Sequence, residues 1–210
     1  MKKNKGFSLI ELIIASSIGL LAIGIVGLVF LSGYNTANKR SLELMLQQDV
    51  NDVLYLIKQD LVRAGYNSDS GSSYIISGAS NIVTLWDTIA SSSVSTDADC
   101  ITYAYHDGNK QYLNSIYTKN GKNSSDHSVK ILRYYSTTSS GVDITQKCKY
   151  GESALDQNTI NVTYFSISES ILSSSTATSK LLTINLAASL EKNSSISTAK
   201  SVQVKTRNWN

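Results

Sequence analysis

Three kinds of group in this chain could do chemistry: one peptide bond, one carboxylate and two thiols. The bond is Gly6-Phe7, which follows Lys2, Lys3 and Lys5. The carboxylate is Glu11, whose side chain is the only charged one between Phe7 and Asn38. Leu12 to Leu31 then gives 20 mostly apolar residues, enough for a helix to cross a bilayer. A carboxylate at the centre of such a span costs about 2.5–3.5 kcal/mol, and less near its end. That cost calls for a specific cation. A new α-amine would serve, and cleavage at Gly6-Phe7 would create one and make the acid the fifth residue of the cleaved chain. The thiols are Cys100 and Cys148.

Lys2, Lys3 and Lys5 followed by Gly6-Phe7-Ser8-Leu9-Ile10-Glu11 resemble the leader of type IV prepilins and type II secretion pseudopilins. The resemblance implies that a membrane-embedded prepilin peptidase cuts after Gly6 and methylates the amine of Phe7. It also implies that Glu11 is the assembly glutamate, forming a salt bridge with a neighbour's N-terminus. The motif is short but specific, because charge, glycine, aromatic and acid must all fall at fixed places.

Simpler readings explain less. A secretory signal has an apolar core of about 7–15 residues and a small-residue cleavage site beyond it. This stretch is longer, and no such site follows Leu31. A plain signal anchor fits length and charge but leaves Glu11 unexplained. A buried helix apolar all round needs a very large core.

The length leaves room for the anchor and one domain of about 150 residues. Removing Lys2, Lys3 and Lys5 takes Lys plus Arg from 19 to 16, equal to Asp plus Glu. The basic balance thus belongs to the leader, where it sets orientation. A formally neutral remainder gives no electrostatic reason to expect nucleic acid as a partner. The expected location is the inner membrane, crossed once, with a periplasmic C-terminal domain, and the prepilin resemblance implies that this domain later reaches a pilus at the cell surface. On that side Cys100 and Cys148 are expected to form a disulfide, with two separate buried thiols as the alternative.

Elements to position these groups follow from periodicity. After Lys39-Arg40, an apolar stripe runs Leu42, Leu46, Val50, Val53, Ile57, Leu61, Ala64. Glu43, Gln47, Asp49, Asp52, Lys58, Gln59 and Asp60 lie on the other face. Gly65 supplies the stop. From Tyr74 the period becomes 2, with strands expected at 74–77, 81–86, 100–106, 112–118, 129–136, 159–167, 180–190 and 200–207. Asp107-Gly108 marks a hairpin, and serine runs at 91–93 and 173–175 mark loops. The fold class is α+β: a long N-terminal helix, transmembrane then amphipathic, packed on an antiparallel sheet. The parts are a leader (1–6), an assembly helix (7–31), its amphipathic continuation (32–65) and a β-rich domain (66–210).

Gln59-Asp60-Leu61-Val62-Arg63-Ala64-Gly65-Tyr66, Asp99 to Tyr103 and Val204 to Asn208 are similar to segments of PilW-type minor pilins, apart from the inserted Val62. The J pseudopilin of type II secretion shares this plan. The membrane helix lacks the proline of many major pilins, and the chain lacks their late cysteine pair. The resemblance implies a structural subunit rather than an enzyme. Its partners would be other minor and major pilins, prepilin peptidase, the inner-membrane assembly platform and, where present, a tip adhesin. No nucleotide-binding, hydrolase or zinc signature appears. His106 and His127 are isolated. Asp97, Asp99 and Asp107 lack the spacing of a calcium loop, so no metal or cofactor is expected.

Overall fold

A computed structural model describes residues 8–76, 78–89, 91–138, 148–173 and 178–206. Gly6, Phe7 and the leader lysines lie outside the described residues, as do Ser77, residues 174–177 and Arg207. The chain divides into two units, Met1–Leu42 and Glu43–Asn210.

Helix α1 (Leu9–Leu61) supplies most of the first unit and opens the second. Its early part is long and apolar enough to cross a membrane. Every large apolar side chain from Leu9 to Tyr34 is exposed. Polar side chains there bond the helix's own carbonyls: Ser16 Oγ donates to Ile13 O at 3.0 Å and Ser17 Oγ to Ile14 O at 2.9 Å. Hydrocarbon requires such internal satisfaction.

In the second unit the helix buries Leu46, Val50, Leu54, Ile57, Asp60 and Leu61. Full burial of each aliphatic member contributes about 1.5–3 kcal/mol, which makes this stripe a main support of the domain. Two expectations are corrected here. Leu54, not Val53, lies at the centre of the stripe, while Val53 and Leu42 are half-buried. Asp60, assigned to the polar face, is buried. Past Leu61 the last turn tightens, with Arg63 N donating to Asp60 O and Ala64 N to Leu61 O. Gly65 then takes φ +75°, the left-handed stop that its type permits. A Cβ there would stand 2.4 Å from Ile82 Cγ2, so space as well as φ demands glycine.

Nine strands are present among the described residues: β1 (Val83–Asp87), β2 (Ser92–Ser93), β3 (Cys100–His106), β4 (Gln111–Lys122), β5 (Ser128–Thr137), β6 (Glu152–Ser153), β7 (Ile160–Ser173), β8 (Thr178–Leu190) and β9 (Ser197–Lys205). They form two antiparallel sheets, in the orders β2-β1-β3-β4-β5-β6 and β7-β8-β9. Ala98 and Ile167 exchange amide hydrogen bonds of 2.9 and 2.8 Å where the sheets meet. The fold class is thus α+β, with two sheets in place of one. The outer strands β2 and β6 have two residues each, while β9 is nine residues long and exposes Lys200 and Lys205.

Asp107-Gly108 makes the β3–β4 hairpin, with Gly108 at φ +96°. The segment 74–77 is not a strand over its described part. Tyr74 N instead donates to Gly65 O at 3.0 Å, and Ile76 packs with Ala104 and Leu113. Ser92 and Ser93, expected in a loop, pair with Asp87 and Trp86. Their backbone can do so because an edge pairing asks nothing of the side chains.

Candidate functional site

The N-terminal segment begins with a side-chain cap. Ser8 N donates to Glu11 Oε2 at 2.9 Å, in the S-x-x-E spacing of a capping box. The Glu11 carboxylate also sits in the first turn, where the helix dipole favours a negative charge. Glu11 is exposed, so its outer side is open to a second partner. Its spacing from Ser8 is a sequence signal separate from the charge. Apart from the adjoining chain and the helix's own backbone, no atom lies within 4 Å of a methyl group built at Gly19 or Gly24, so another helix could approach closely there.

Cys100 and Cys148 are bonded to each other, with Cα atoms 6.1 Å apart. The bridge ties the buried start of β3 to the segment ahead of β6. Joining two strand-flanking segments, it has a structural rather than a redox setting.

Where α1 meets the first sheet, Asp60 gathers a polar cluster. The Tyr103 hydroxyl donates to Asp60 Oδ2, and the Tyr134 hydroxyl donates to the same oxygen at 3.1 Å. Tyr134 also lies 3.4 Å from Asn114 Oδ1. Arg63 Nη1 stands 4.0 Å from Asp60 Oδ1, and its side chain is 61% exposed, so that ion pair adds under about 1 kcal/mol. Burial, then the charge of Asp60, pushes the Tyr134 phenol up to about 12. The same causes raise fully buried Tyr103 well above its ordinary value. Both phenols therefore stay protonated and act as fixed donors. The cluster clamps the helix end to β3 and β5 and offers no group poised for proton transfer. A groove of about 410 Å³ opens beside it, lined by Leu56, Ile57, Ile116 and Ala154 among others.

The remaining candidates are held separately. Asp99 takes the amide of Thr88 at 2.8 Å, together with its hydroxyl. Asp107 takes the amides of Asn109 and Lys110 at 2.9 and 2.8 Å, and these backbone bonds lower its pKa. Tyr164 Oη lies 3.4 Å from Asp97. His106 meets Asp69 at 3.2 Å, and His127 meets Glu191. Among the described residues, no three acids, histidines or cysteines gather as a metal site would need.

The profile described as "Prepilin peptidase-dependent protein B" matches residues 39–206, which is more than half of the chain. The chain belongs to that family. The prokaryotic N-terminal methylation motif matches residues 1–27, the stretch holding Gly6, Phe7 and Glu11. No curated protein and no solved structure matches the chain. A prepilin peptidase-dependent protein B with this motif is a type IV pilin-like or pseudopilin protein, and prepilin peptidase is its partner. An apolar first helix fits a membrane anchor for it.

Proposed function

We propose that this protein is a PilW-type minor pilin that acts in starting pilus assembly or at the filament tip. The observation that carries the reading is one carboxylate, Glu11, at the head of an exposed apolar helix, directly after a Gly6-Phe7 bond. Peptidase cleavage after Gly6 frees the amine of Phe7, which is then methylated. The leader 1–6 stays in the cytoplasm, 7–31 spans the inner membrane, 32–65 continues the helix, and 66–210 forms the periplasmic domain. Lys2, Lys3 and Lys5 favour that orientation.

In the bilayer the Glu11 charge is poorly solvated, and so is the amine of a neighbouring Phe7. Pairing them is charge-assisted and fixes which register of two helices is tolerated. The small residues Ala15, Ser16, Gly19 and Gly24 allow the close helix approach that follows. Other minor and major pilins, the assembly platform and a tip adhesin are the partners this reading implies. The J pseudopilin of type II secretion uses the same physics and is the second reading. Neighbouring genes for minor pilins or for a secretin separate the two.

N-terminal sequencing and piliation test the proposal together. The wild-type protein from its host should begin at methylated Phe7, and Gly6→Leu should remain an uncleaved membrane precursor. Glu11→Ala should be cleaved yet yield few pili. A wild-type protein that begins at Met1 overturns the reading.

A further inference from the structure

Three Asn-x-Ser/Thr triplets occur in the sequence, at Asn123, Asn161 and Asn193. This pattern marks acceptors of N-linked glycan in exported chains, where the asparagine amide nitrogen is the nucleophile. The fold treats the three differently. Asn123 is buried, and its Oδ1 takes the amides of Ser125 at 3.0 Å and His127 at 2.9 Å. Asn161 is half-buried in β7, where its Oδ1 takes the Lys130 amide at 2.8 Å. Asn193 alone of the three is exposed, in the turn between β8 and β9.

The third residue of the Asn193 triplet is already engaged with it. Ser195 Oγ donates to Asn193 Oδ1 at 2.6 Å, and Ser195 N donates to the same oxygen at 3.3 Å. Donation to the carbonyl oxygen makes the attached N–H more acidic. Asn193 Nδ2 has no hydrogen bond among the described residues. Glu191, two positions before the acceptor, lies against His127 and is 12% exposed, so it does not cover Asn193.

We propose that Asn193 is an N-glycosylation acceptor, charged from a polyprenyl-diphosphate-linked oligosaccharide. Nδ2 forms a bond to C1 of the first sugar. The bond from C1 to the diphosphate oxygen breaks, polyprenyl diphosphate leaves, and a base of the transferase takes the amide proton. The inference rests on the proposed export of the domain. Steric logic supports the position: a glycan on this turn projects from the end of a hairpin, where no strand pairing is lost.

The test is co-expression of the full chain with a bacterial single-subunit oligosaccharyltransferase and an undecaprenyl-diphosphate-linked oligosaccharide. Mass spectrometry should find the oligosaccharide mass on the peptide containing Asn193. Asn193→Gln and Ser195→Ala should lose it, while Asn123→Gln and Asn161→Gln should keep it. Thiol alkylation of the same sample reports export through the Cys100–Cys148 bridge. A bridged chain with an unmodified Asn193 overturns the acceptor and leaves the topology standing. Free thiols overturn the export reading and this proposal with it.

Discussion

Tyr134 donates a hydrogen bond to Asp60 across 3.1 Å, although 74 residues separate the two in the chain. Together with Tyr103, it turns a helix-end acid into the joint between helix and sheet. Asp60→Ala leaves the buried Tyr103 phenol without its acceptor, while half-buried Tyr134 keeps only the longer contact to Asn114 Oδ1. Urea unfolding of the full chain in detergent is expected to show a loss of about 1–3 kcal/mol. Asp52→Ala, at an exposed site on the same helix, should stay within about 0.5 kcal/mol of wild type.

The raised phenols give stability a defined alkaline limb. Below about pH 10 the tyrosines are protonated in both the folded and unfolded chain, so their contribution is full. Above it the unfolded chain ionises first, while Tyr134 holds its proton to about 12. Stability must therefore fall as pH rises from about 10 to 12. Tyr134→Phe is expected to make that fall shallower, with Tyr103 supplying what remains. If wild type and Tyr134→Phe lose the same stability between about pH 9.5 and 11.5 in urea melts, Tyr134 is not the group responsible.

The Cys100–Cys148 bridge closes a separation of 48 residues, for which chain entropy gives about 4 kcal/mol. Cys148→Ser should lower stability by about that much. Wild type in dithiothreitol should unfold at the same urea concentration as the mutant. A reductant that leaves the midpoint unmoved would contradict the estimate.

Gly65→Ala adds a methyl 2.4 Å from Ile82 Cγ2 at φ +75°. Backbone strain costs about 1–3 kcal/mol and the clash adds to it. Ile82→Ala alone should cost about 2–5 kcal/mol as a buried truncation. The double mutant is expected to cost less than the two single changes combined, because one removes the clash made by the other.

Glu11 has two separable properties, a cap and a charge. Glutamine also serves at the third position of a capping box, so Glu11→Gln should keep the start of the helix. It removes the negative charge, and with it the proposed pairing to a neighbouring amine. Circular dichroism matching wild type, with piliation as poor as in Glu11→Ala, is the expected outcome. Normal piliation in Glu11→Gln would assign Glu11 to capping alone.

Local patterns were legible wherever local physics decides the outcome. Cys100–His106 was readable to the residue, because a short run of β-branched and aromatic side chains ahead of a turn signal defines a strand. Asp107-Gly108 was readable because few residues tolerate that turn. Asp60 was not, since its partners Tyr103 and Tyr134 lie 43 and 74 residues away. A period of 3.6 places Asp60 near the edge of the stripe, and only the sheet decides which edge is covered. Tyr74 misled because its aromatic β-propensity was overridden by the backbone bond to Gly65. The paired segments of β2 and β6 carry no pattern that two residues could reveal. Ser8, by contrast, was open to reading, and its role lies in spacing rather than in charge.

The outer strands have one further consequence. Subunits crowded side by side could stack through unpaired backbone, as amyloid-forming chains do. Lys200 and Lys205 repel a like neighbour along β9, β2 and β6 are too short to recruit one, and the edge of β7 is occupied at Ile167 by its amide pairing with Ala98. With lateral stacking discouraged, the proposed polymer growth is left to the apolar stretch at the start of the chain.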